Sequence, residues 1–110
     1  MLIDSNTNVF AVIGDPISHS LSPPMHNAAF TAIAEDAVYL AFLVKQENLA
    51  MAVEGMRAIG VKGWNVTIPH KVEITKYLDE VDASALAVAA VNTVVNENNR
   101  LIGYNTDVLG

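Results

Sequence analysis

Short apolar segments alternate with segments of helical periodicity along this chain, and that alternation restricts the fold more than any other feature. Segments 8–14, 38–44 and 61–68 have the length and composition of strands. Between them, apolar residues recur at helical spacing over about 22–35 and 47–59. Strands that alternate with helices form parallel sheets with right-handed crossover connections. The sequence therefore predicts an α/β fold.

The rest of the chain adds two helices and a hairpin. A short helix is predicted over about 70–78 and an alanine-rich helix over about 82–89. Two further strands, 91–97 and 100–106, flank the pair Asn98-Asn99, which is typical of a hairpin turn. The expected order is β-α-β-α-β-α-α-β-β. It describes a three-layer sandwich in which helices flank a mixed, mainly parallel sheet, and the continuous apolar run 38–44 would be buried on both faces.

The composition is that of one compact domain. The chain has 110 residues, of which 52% are hydrophobic, and this is enough to form a core. We expect residues 1–7 to be a polar tail and residues 8–110 to be the domain. Six Lys and Arg against twelve Asp and Glu argue against nucleic-acid binding. Because there is no cysteine, disulfides, cysteine metal sites and thiol catalysis are excluded.

The same inspection gives expectations about location and metals. The sequence contains no run of about 18 apolar residues, so no membrane-spanning helix is expected. Its start, "MLIDSNTN", lacks the pattern of a signal peptide. We therefore expect a cytoplasmic protein that binds no membrane. His19, His26 and His70 do not have the i, i+4 spacing of a helical zinc site, so no metal is expected. The oligomeric state stays open, with a homodimer as one option.

Ligands of such sheets bind beyond the carboxyl ends of the strands, and two serines lie there after the first strand. Ser20 and Ser22 precede a helix whose first turn holds Pro23 and Pro24. One interpretation makes Ser22 the helix cap and Ser20 a loop residue. The other is an anion site at the helix start. Because proline has no N–H, an anion there would depend on the serine hydroxyls, which favours a small carboxylate over a pyrophosphate.

A second polar cluster lies on the third strand. Asn65 and Thr67 share one face of it, and Trp64, Val66 and Ile68 share the other. The apolar side chains would anchor the strand in the core. The polar face is either solvated or turned to a ligand.

Three further residues follow or precede strands. Lys71 comes just after Pro69, in the first turn of a predicted helix, where the helix dipole would depress its pKa and suit it to acid–base work. A surface lysine without function is the alternative. Asn92 before the fourth strand caps a loop or contacts a ligand. Asp107 after the last strand caps a helix or pairs with Lys71.

Together the segments "GDPISHSLSPPMHNAAF", "NVTIPHK", "AVNT" and "GYNTD" resemble shikimate dehydrogenases, specifically their N-terminal substrate-binding domain. The resemblance covers about residues 9–110. Each segment is a weak signal alone, but the four in this order and spacing are specific. The resemblance implies an NADP-dependent oxidoreductase of aromatic amino acid biosynthesis, which reduces 3-dehydroshikimate reversibly to shikimate.

Carried over by motif, the resemblance implies a role for each candidate residue. Ser20 and Ser22 would bind the substrate carboxylate. Lys71 would contact the substrate as the catalytic acid and base, with Asp107 as its partner. Hydrogen bonds to the ring hydroxyls would come from Asn65, Thr67, Asn92 and Asp107.

The sequence departs from the family in two ways. Ala89 stands where the family usually has glycine before "AVNT". The dinucleotide signature G-x-G-x-x-G does not occur. The NADP-binding Rossmann domain is therefore expected outside this chain, which would be part of a longer protein and inactive alone.

Three alternatives remain open. A related oxidoreductase could prefer quinate, which carries one more hydroxyl at the carboxylate-bearing carbon. A non-catalytic module could bind a carboxylate without turnover, although a pure binder has no need of Lys71 at that position. An interaction module without a small ligand fits least, because polar clusters follow several strands.

Overall fold

A computed structural model describes residues 2–18 and 20–109 and shows a single six-stranded sheet with helices on both faces. Its strands are β1 (Asn8–Gly14), β2 (Ala37–Leu43), β3 (Gly63–Val66), β4 (Glu80–Val81), β5 (Thr93–Glu97) and β6 (Arg100–Tyr104). Its α-helices are α1 (Ser22–Ala32), α2 (Leu49–Ile59), α3 (Ala83–Leu86) and α4 (Thr106–Leu109). Two 3₁₀ helices span Gln46–Asn48 and Glu73–Tyr77.

The sheet is mixed and mainly parallel, as predicted. Its strand order is β2-β1-β3-β5-β6-β4. Strand β1 runs parallel to β2 and β3, and β4 runs parallel to β6, whereas β5 is antiparallel to both of its neighbours. The predicted hairpin joins β5 and β6, and Asn98 and Asn99 have φ angles of 51° and 73°. Asparagine accepts this left-handed backbone more readily than most residues, which explains the pair in the turn.

The segment after β3 differs from the prediction. The helix expected over 70–78 is a 3₁₀ helix confined to Glu73–Tyr77. Its sequence includes the β-branched residues Ile74 and Thr75, which lower helix propensity. Strand β4 was not predicted, since two residues are too few to show a periodicity. The alanine-rich helix is also shorter than expected, because α3 ends at Leu86.

The hydrophobic core lies mainly between the sheet and α2. Trp64 and Val66 are buried in it, as predicted. Ile68 is 62% exposed, so the prediction that it anchors the core is wrong. The reason is that β3 ends at Val66 and the chain then turns, with the amide of His70 donating to the carbonyl of Thr67. The largest fully buried side chains are Ile13, Leu49, Ile74, Leu101, His70, Val53, Val91 and Val94.

Strand β2 is not buried on both faces, which corrects another prediction. It lies at the edge of the sheet and pairs only with β1. Its last four residues are exposed, including Leu40, Phe42 and Leu43. A continuous apolar run cannot by itself distinguish a central strand from an edge strand.

Arg57 of α2 links three separate segments on the far side of the core. Its guanidinium donates to the carboxylate of Asp79 and to the carbonyls of Asn99 and Tyr77. Asp79 also accepts a hydrogen bond from the amide of Leu101. This cluster joins α2, the segment before β4 and the β5–β6 hairpin.

The segment before β1 lies outside the hydrophobic core. Residues 2–7 form a turn before β1, in which the hydroxyl of Thr7 donates to Asp36. Within residues 2–18 and 20–109, no helix combines the length and apolar character needed to cross a membrane.

Ala89 adopts a left-handed backbone with a φ of 54°, in the turn that leads from α3 towards β5. This conformation costs an alanine roughly 1 kcal/mol or more, whereas glycine adopts it without strain. The unfolding free energy of the Ala89→Gly variant should therefore be about 0.5–1 kcal/mol higher than that of the natural chain. This value allows for the greater freedom of glycine in the unfolded chain.

Urea denaturation would measure this change. Ala87→Gly is a matched control, because Ala87 is exposed two residues earlier with a φ of −59°. That control should lower the unfolding free energy by about 0.5–1 kcal/mol. Equal effects of both substitutions would contradict the assignment of strain to Ala89.

Candidate functional site

A cleft of about 340 Å³ opens beside the carboxyl ends of β1 and β3. It brings together four of the predicted site residues from distant parts of the sequence. Its lining consists of Val12, Pro16, Ile17, Ser20, Ser22, Asn65 and Thr67. Apolar groups from β1 and its following loop therefore face hydroxyl and amide groups from α1 and β3, a combination suited to a small polyhydroxylated ligand.

The close approach of β1 and β3 depends on a glycine. A Cβ added to Gly14 would lie 2.3 Å from Cγ2 of Thr67 and 3.1 Å from the carbonyl oxygen of Ile68. Both values are shorter than ordinary contacts between side chains and their neighbours. Gly14 thus allows Thr67 to lie directly against the end of β1 at the floor of the cleft.

Ser20 and Ser22 enter the cleft together, but the predicted cap is not formed by Ser22. Helix α1 begins at Ser22, and the amide of Ser22 donates to the hydroxyl of Ser20 at 3.2 Å. The amide of Met25 donates to the carbonyl of Leu21. Because Pro23 and Pro24 have no N–H, a capping hydroxyl at Ser22 would find few donors.

The same first turn is unsuited to a dinucleotide. Phosphates bind at helix N-termini through free backbone N–H groups. Pro23 and Pro24 supply none, and the N–H of Ser22 is already bonded to Ser20. The residues of this turn therefore do not fit a pyrophosphate, whereas two neighbouring hydroxyls can serve a small anion.

Asn65 is held in a defined orientation by two neighbours. Its Oδ1 accepts a 2.6 Å hydrogen bond from the hydroxyl of Tyr39, and its Nδ2 donates to the hydroxyl of Thr93 at 3.3 Å. An amide nitrogen has two N–H groups, so one can still point into the cleft. Asn65 therefore presents a fixed donor to a ligand.

Tyr39 is a site residue that the sequence analysis missed. It is buried on the edge strand β2, and its ring stacks on His26 with the centroids 4.3 Å apart. A usable signal did exist, because Tyr39 is the one hydroxyl-bearing residue in the apolar run 38–44. Such a residue in a buried strand needs a hydrogen-bond partner.

Burial raises the pKa of Tyr39 to about 12, and a hydrogen bond with Ser22 lowers it to a smaller extent. The folded protein therefore prefers the neutral phenol. Because the pKa in the unfolded chain is about 10, the stabilising contribution is complete below pH 10. It is lost as the pH rises from about 10 to about 12.

The unfolding free energy of the natural chain should therefore fall relative to that of Tyr39→Phe between about pH 10 and pH 12. Urea denaturation of both proteins at pH 8, 10 and 11 would measure the difference. All other ionisable groups are the same in both proteins, so their contributions cancel in the comparison. A constant difference across this range would contradict the preference for the neutral phenol.

Asn92 connects Asn65 to the last helix. Its Oδ1 accepts from the hydroxyl of Thr93 at 3.0 Å, from the amide of Thr106 at 2.9 Å and from the hydroxyl of Thr106 at 3.2 Å. This is the loop-capping role considered for it. Since all three bonds use Oδ1, they leave the Nδ2 group of Asn92 to other partners.

Asp107 lies in α4 but does not cap it. Asn105 performs that role, because its Oδ1 accepts from the amides of Asp107 and Val108. The helix-capping interpretation of Asp107 is therefore wrong, and its exposed carboxylate is available for other contacts.

Lys71 lies in the turn between β3 and the 3₁₀ helix Glu73–Tyr77. It is thus not in the first turn of an α-helix, and the helix-dipole argument for it does not apply. Its carbonyl accepts from the amide of Val91 at 2.8 Å, which fixes the main chain next to the start of β5. Within residues 2–18 and 20–109, no carboxylate lies within 4.0 Å of its amine. Its pairing with Asp107 stays a prediction.

His70 anchors the turn that carries Lys71. The ring is fully buried, and its Nε2 lies 2.6 Å from the carbonyl oxygen of Val44. A carbonyl only accepts, so Nε2 carries the hydrogen. His70 therefore fills a structural position. His19, another histidine considered as a metal ligand, lies outside the described residues.

Comparison with known proteins gives one family and close relatives. The family described as shikimate dehydrogenase substrate binding domain matches residues 12–94. An NADP(+) shikimate dehydrogenase from Bacillus cereus is 59% identical over 102 residues, which cover 93% of this chain and 37% of that protein. The chain therefore spans little more than a third of the length of this relative.

Solved structures agree in fold. A shikimate 5-dehydrogenase from Listeria monocytogenes, in complex with shikimate and NAD, superposes with a TM-score of 0.92 at 48% identity. The match covers 96% of this chain and 36% of that one. A 5-ketofructose reductase from Gluconobacter superposes with a TM-score of 0.91 at 33% identity, covering 94% and 38% of the two chains.

Proposed function

Because the chain belongs to the family of shikimate dehydrogenase substrate-binding domains, we propose that it forms the substrate-binding part of an NADP-dependent shikimate dehydrogenase. The reaction would be the reversible reduction of 3-dehydroshikimate to shikimate, within aromatic amino acid biosynthesis. The observation that carries this proposal is the cleft in which Ser20, Ser22, Asn65 and Thr67 converge.

The two sides of the cleft suggest how the substrate lies. On the α1 side, the hydroxyls of Ser20 and Ser22 would donate to its carboxylate, in keeping with a first turn that cannot serve a larger anion. Hydrogen bonds to the ring hydroxyls would come from Asn65 and Thr67 on the sheet side, from Asn92 before β5 and from Asp107 in α4. Polar groups that a bound ligand covers give sharp selectivity, because an analogue without the hydroxyl leaves them unpaired.

Lys71 would supply the proton chemistry. Reduction of a ketone adds a hydride to the carbon and a proton to the oxygen. As an ammonium, Lys71 would stabilise the negative charge that develops on the oxygen and then transfer its proton there. In the reverse direction the neutral amine would accept that proton from the alcohol. Asp107, with its exposed carboxylate, would hold the ammonium in position.

NADPH would supply the hydride, and we propose that it is bound by another part of the protein. The first turn of α1 does not fit a pyrophosphate, because Pro23 and Pro24 lack N–H groups. Residues 8–110 would thus be the shikimate-binding domain, preceded by the tail 1–7, and the chain alone would have no turnover. A cytoplasmic location and a homodimer complete the proposal.

Two alternatives lead to different experimental results. A quinate-preferring enzyme would turn over quinate at least as well as shikimate. A non-catalytic module would bind a carboxylate ligand, and substitution of Lys71 would change only its affinity. The identity of 59% to a shikimate dehydrogenase, against 33% to a 5-ketofructose reductase, favours shikimate over a neutral ketose.

Titration of the isotopically labelled chain with shikimate, followed by NMR, tests the proposal directly. We expect shift changes at the amides of Ser20, Asn65 and Thr67, whereas quinate should cause smaller changes. An NADP-dependent assay on the same chain should give no turnover. Shikimate that leaves these amides unchanged at millimolar concentration would refute the binding role, and substantial turnover would refute the proposed location of the cofactor site.

A further inference from the structure

Helix α1 begins with Ser22 and follows Ser20, the two serines of the cleft, but it contributes no buried residue to the core. Leu21 and Met25 are largely exposed. Hydrophobic burial therefore does little to hold the helix against the sheet. The contacts that remain are specific ones: the hydrogen bond of Ser22 with Tyr39, and contacts made by His26, Asn27 and Phe30.

Asn27 makes the strongest of these contacts. Its Nδ2 donates to the carbonyl of Tyr39 at 2.8 Å, and its Oδ1 accepts from the amide of Tyr39 at 2.8 Å. Tyr39 lies on β2, and no strand among the described residues 2–18 and 20–109 pairs with the outer edge of β2. The Asn27 amide thus satisfies both backbone groups of one edge residue, as a further strand would.

This contact is connected to the cleft in two directions. Towards the sheet, Tyr39 donates its hydroxyl to Oδ1 of Asn65 at 2.6 Å and so fixes the orientation of that amide. In the N-terminal direction, α1 begins at Ser22, whose amide donates to the hydroxyl of Ser20, and both serines line the cleft. Displacement of α1 along β2 would therefore change the spacing between the serine side and the Asn65 side.

We propose that Asn27 is a positioning residue, whose two hydrogen bonds to the main chain of Tyr39 set the spacing between the carboxylate-binding serines and the hydroxyl-binding groups of the sheet. The proposal rests on the proposed function for the identity of the ligand. The attachment of α1 through Asn27 is independent of any ligand. Asn27 itself does not line the cleft.

The attachment has a readout that needs no ligand. In Asn27→Ala the amide of Tyr39 loses its acceptor, so its hydrogen exchange should become at least about tenfold faster. Asn27→Asp keeps an acceptor oxygen but cannot donate as a carboxylate, and the Tyr39 amide should stay protected. Thr31→Ala, an exposed change on the same helix, is the control and should have no effect. Unchanged exchange in Asn27→Ala would overturn the attachment.

The positioning role has a second readout, namely selectivity. Shikimate should bind Asn27→Ala about tenfold more weakly than the natural chain, since a displaced α1 misplaces Ser20 and Ser22. The analogue in which a CH₂OH group replaces the carboxylate should change by less than about threefold, because it depends little on those hydroxyls. Equal weakening of both ligands would indicate a general loss of structure and overturn the positioning role.

These readouts separate the two proposals. Failure of the natural chain to bind shikimate would refute the proposed function, and with it the spacing argument for that ligand. The exchange of the Tyr39 amide would still decide whether Asn27 attaches α1 to β2. Binding by the natural chain, together with normal selectivity in Asn27→Ala, would refute the positioning role alone.

Discussion

Substitution of Lys71 by alanine is expected to lower kcat about 10²- to 10⁴-fold in a protein that joins this chain to the proposed cofactor-binding part, while shikimate affinity falls less than about tenfold. The unequal effects follow from the role of the amine. A proton donor acts mainly in the transition state, where negative charge develops on the oxygen, and contributes less to binding of the ground state.

The measurement is a comparison of kcat with the dissociation constant of shikimate for the same variant. Lys76→Ala is the matched control, because Lys76 is exposed and its amine is paired with Glu73 at 3.0 Å. That variant should keep both values within about twofold. A natural protein without turnover, in which Lys71→Ala changes only the affinity, would favour the non-catalytic module. Retained turnover in Lys71→Ala would assign the proton transfer to another group.

The fold could be predicted from the sequence where periodicity and local chemistry agreed. Strand β1 and helix α2 fall at the predicted positions, and the Asn98-Asn99 turn forms the predicted hairpin. The errors arose where tertiary context decides the outcome. The apolar run of β2 does not indicate that this strand lies at the edge of the sheet. The segment 70–78 has the apolar spacing of a helix, but its β-branched residues Ile74 and Thr75 lower helix propensity, and only a 3₁₀ helix forms.

The site shows the same limit. Motif and strand-end reasoning found Ser20, Ser22, Asn65 and Thr67, which the fold does bring into one cleft. The residues that support them were not predicted. Asn27 contacts Tyr39 across 12 positions of sequence, and Tyr39 contacts Asn65 across 26. The hydroxyl of Tyr39 in an apolar run indicates that it needs a hydrogen-bond partner, but not which residue that partner is. Sequence reasoning identified candidate ligand-binding groups more readily than the groups proposed to hold them in place.

The carboxylate contact gives the second large effect. Substitution of both Ser20 and Ser22 by alanine should weaken shikimate binding by about 10²-fold, since each hydroxyl would lose a hydrogen bond to a charged group worth roughly 1.5 kcal/mol or more. The alcohol analogue without the carboxylate should bind both proteins alike within about threefold. Isothermal titration of the two ligands measures the difference. Ser18→Ala, in the same loop and exposed, is the control and should bind shikimate normally.

This comparison also tests which ligand class the cleft selects. If the serines recognise the carboxylate, the double variant loses its preference for shikimate over the neutral analogue, and the preference measures the strength of that contact. Shikimate affinity that survives both substitutions would mean that the carboxylate lies elsewhere. In that case the part of the cleft beside the serines, which also contains Val12 and Ile17, would suit the ring of a neutral hydroxyketone. It would not suit a carboxylate, because a carboxylate buried without hydrogen-bond donors is costly.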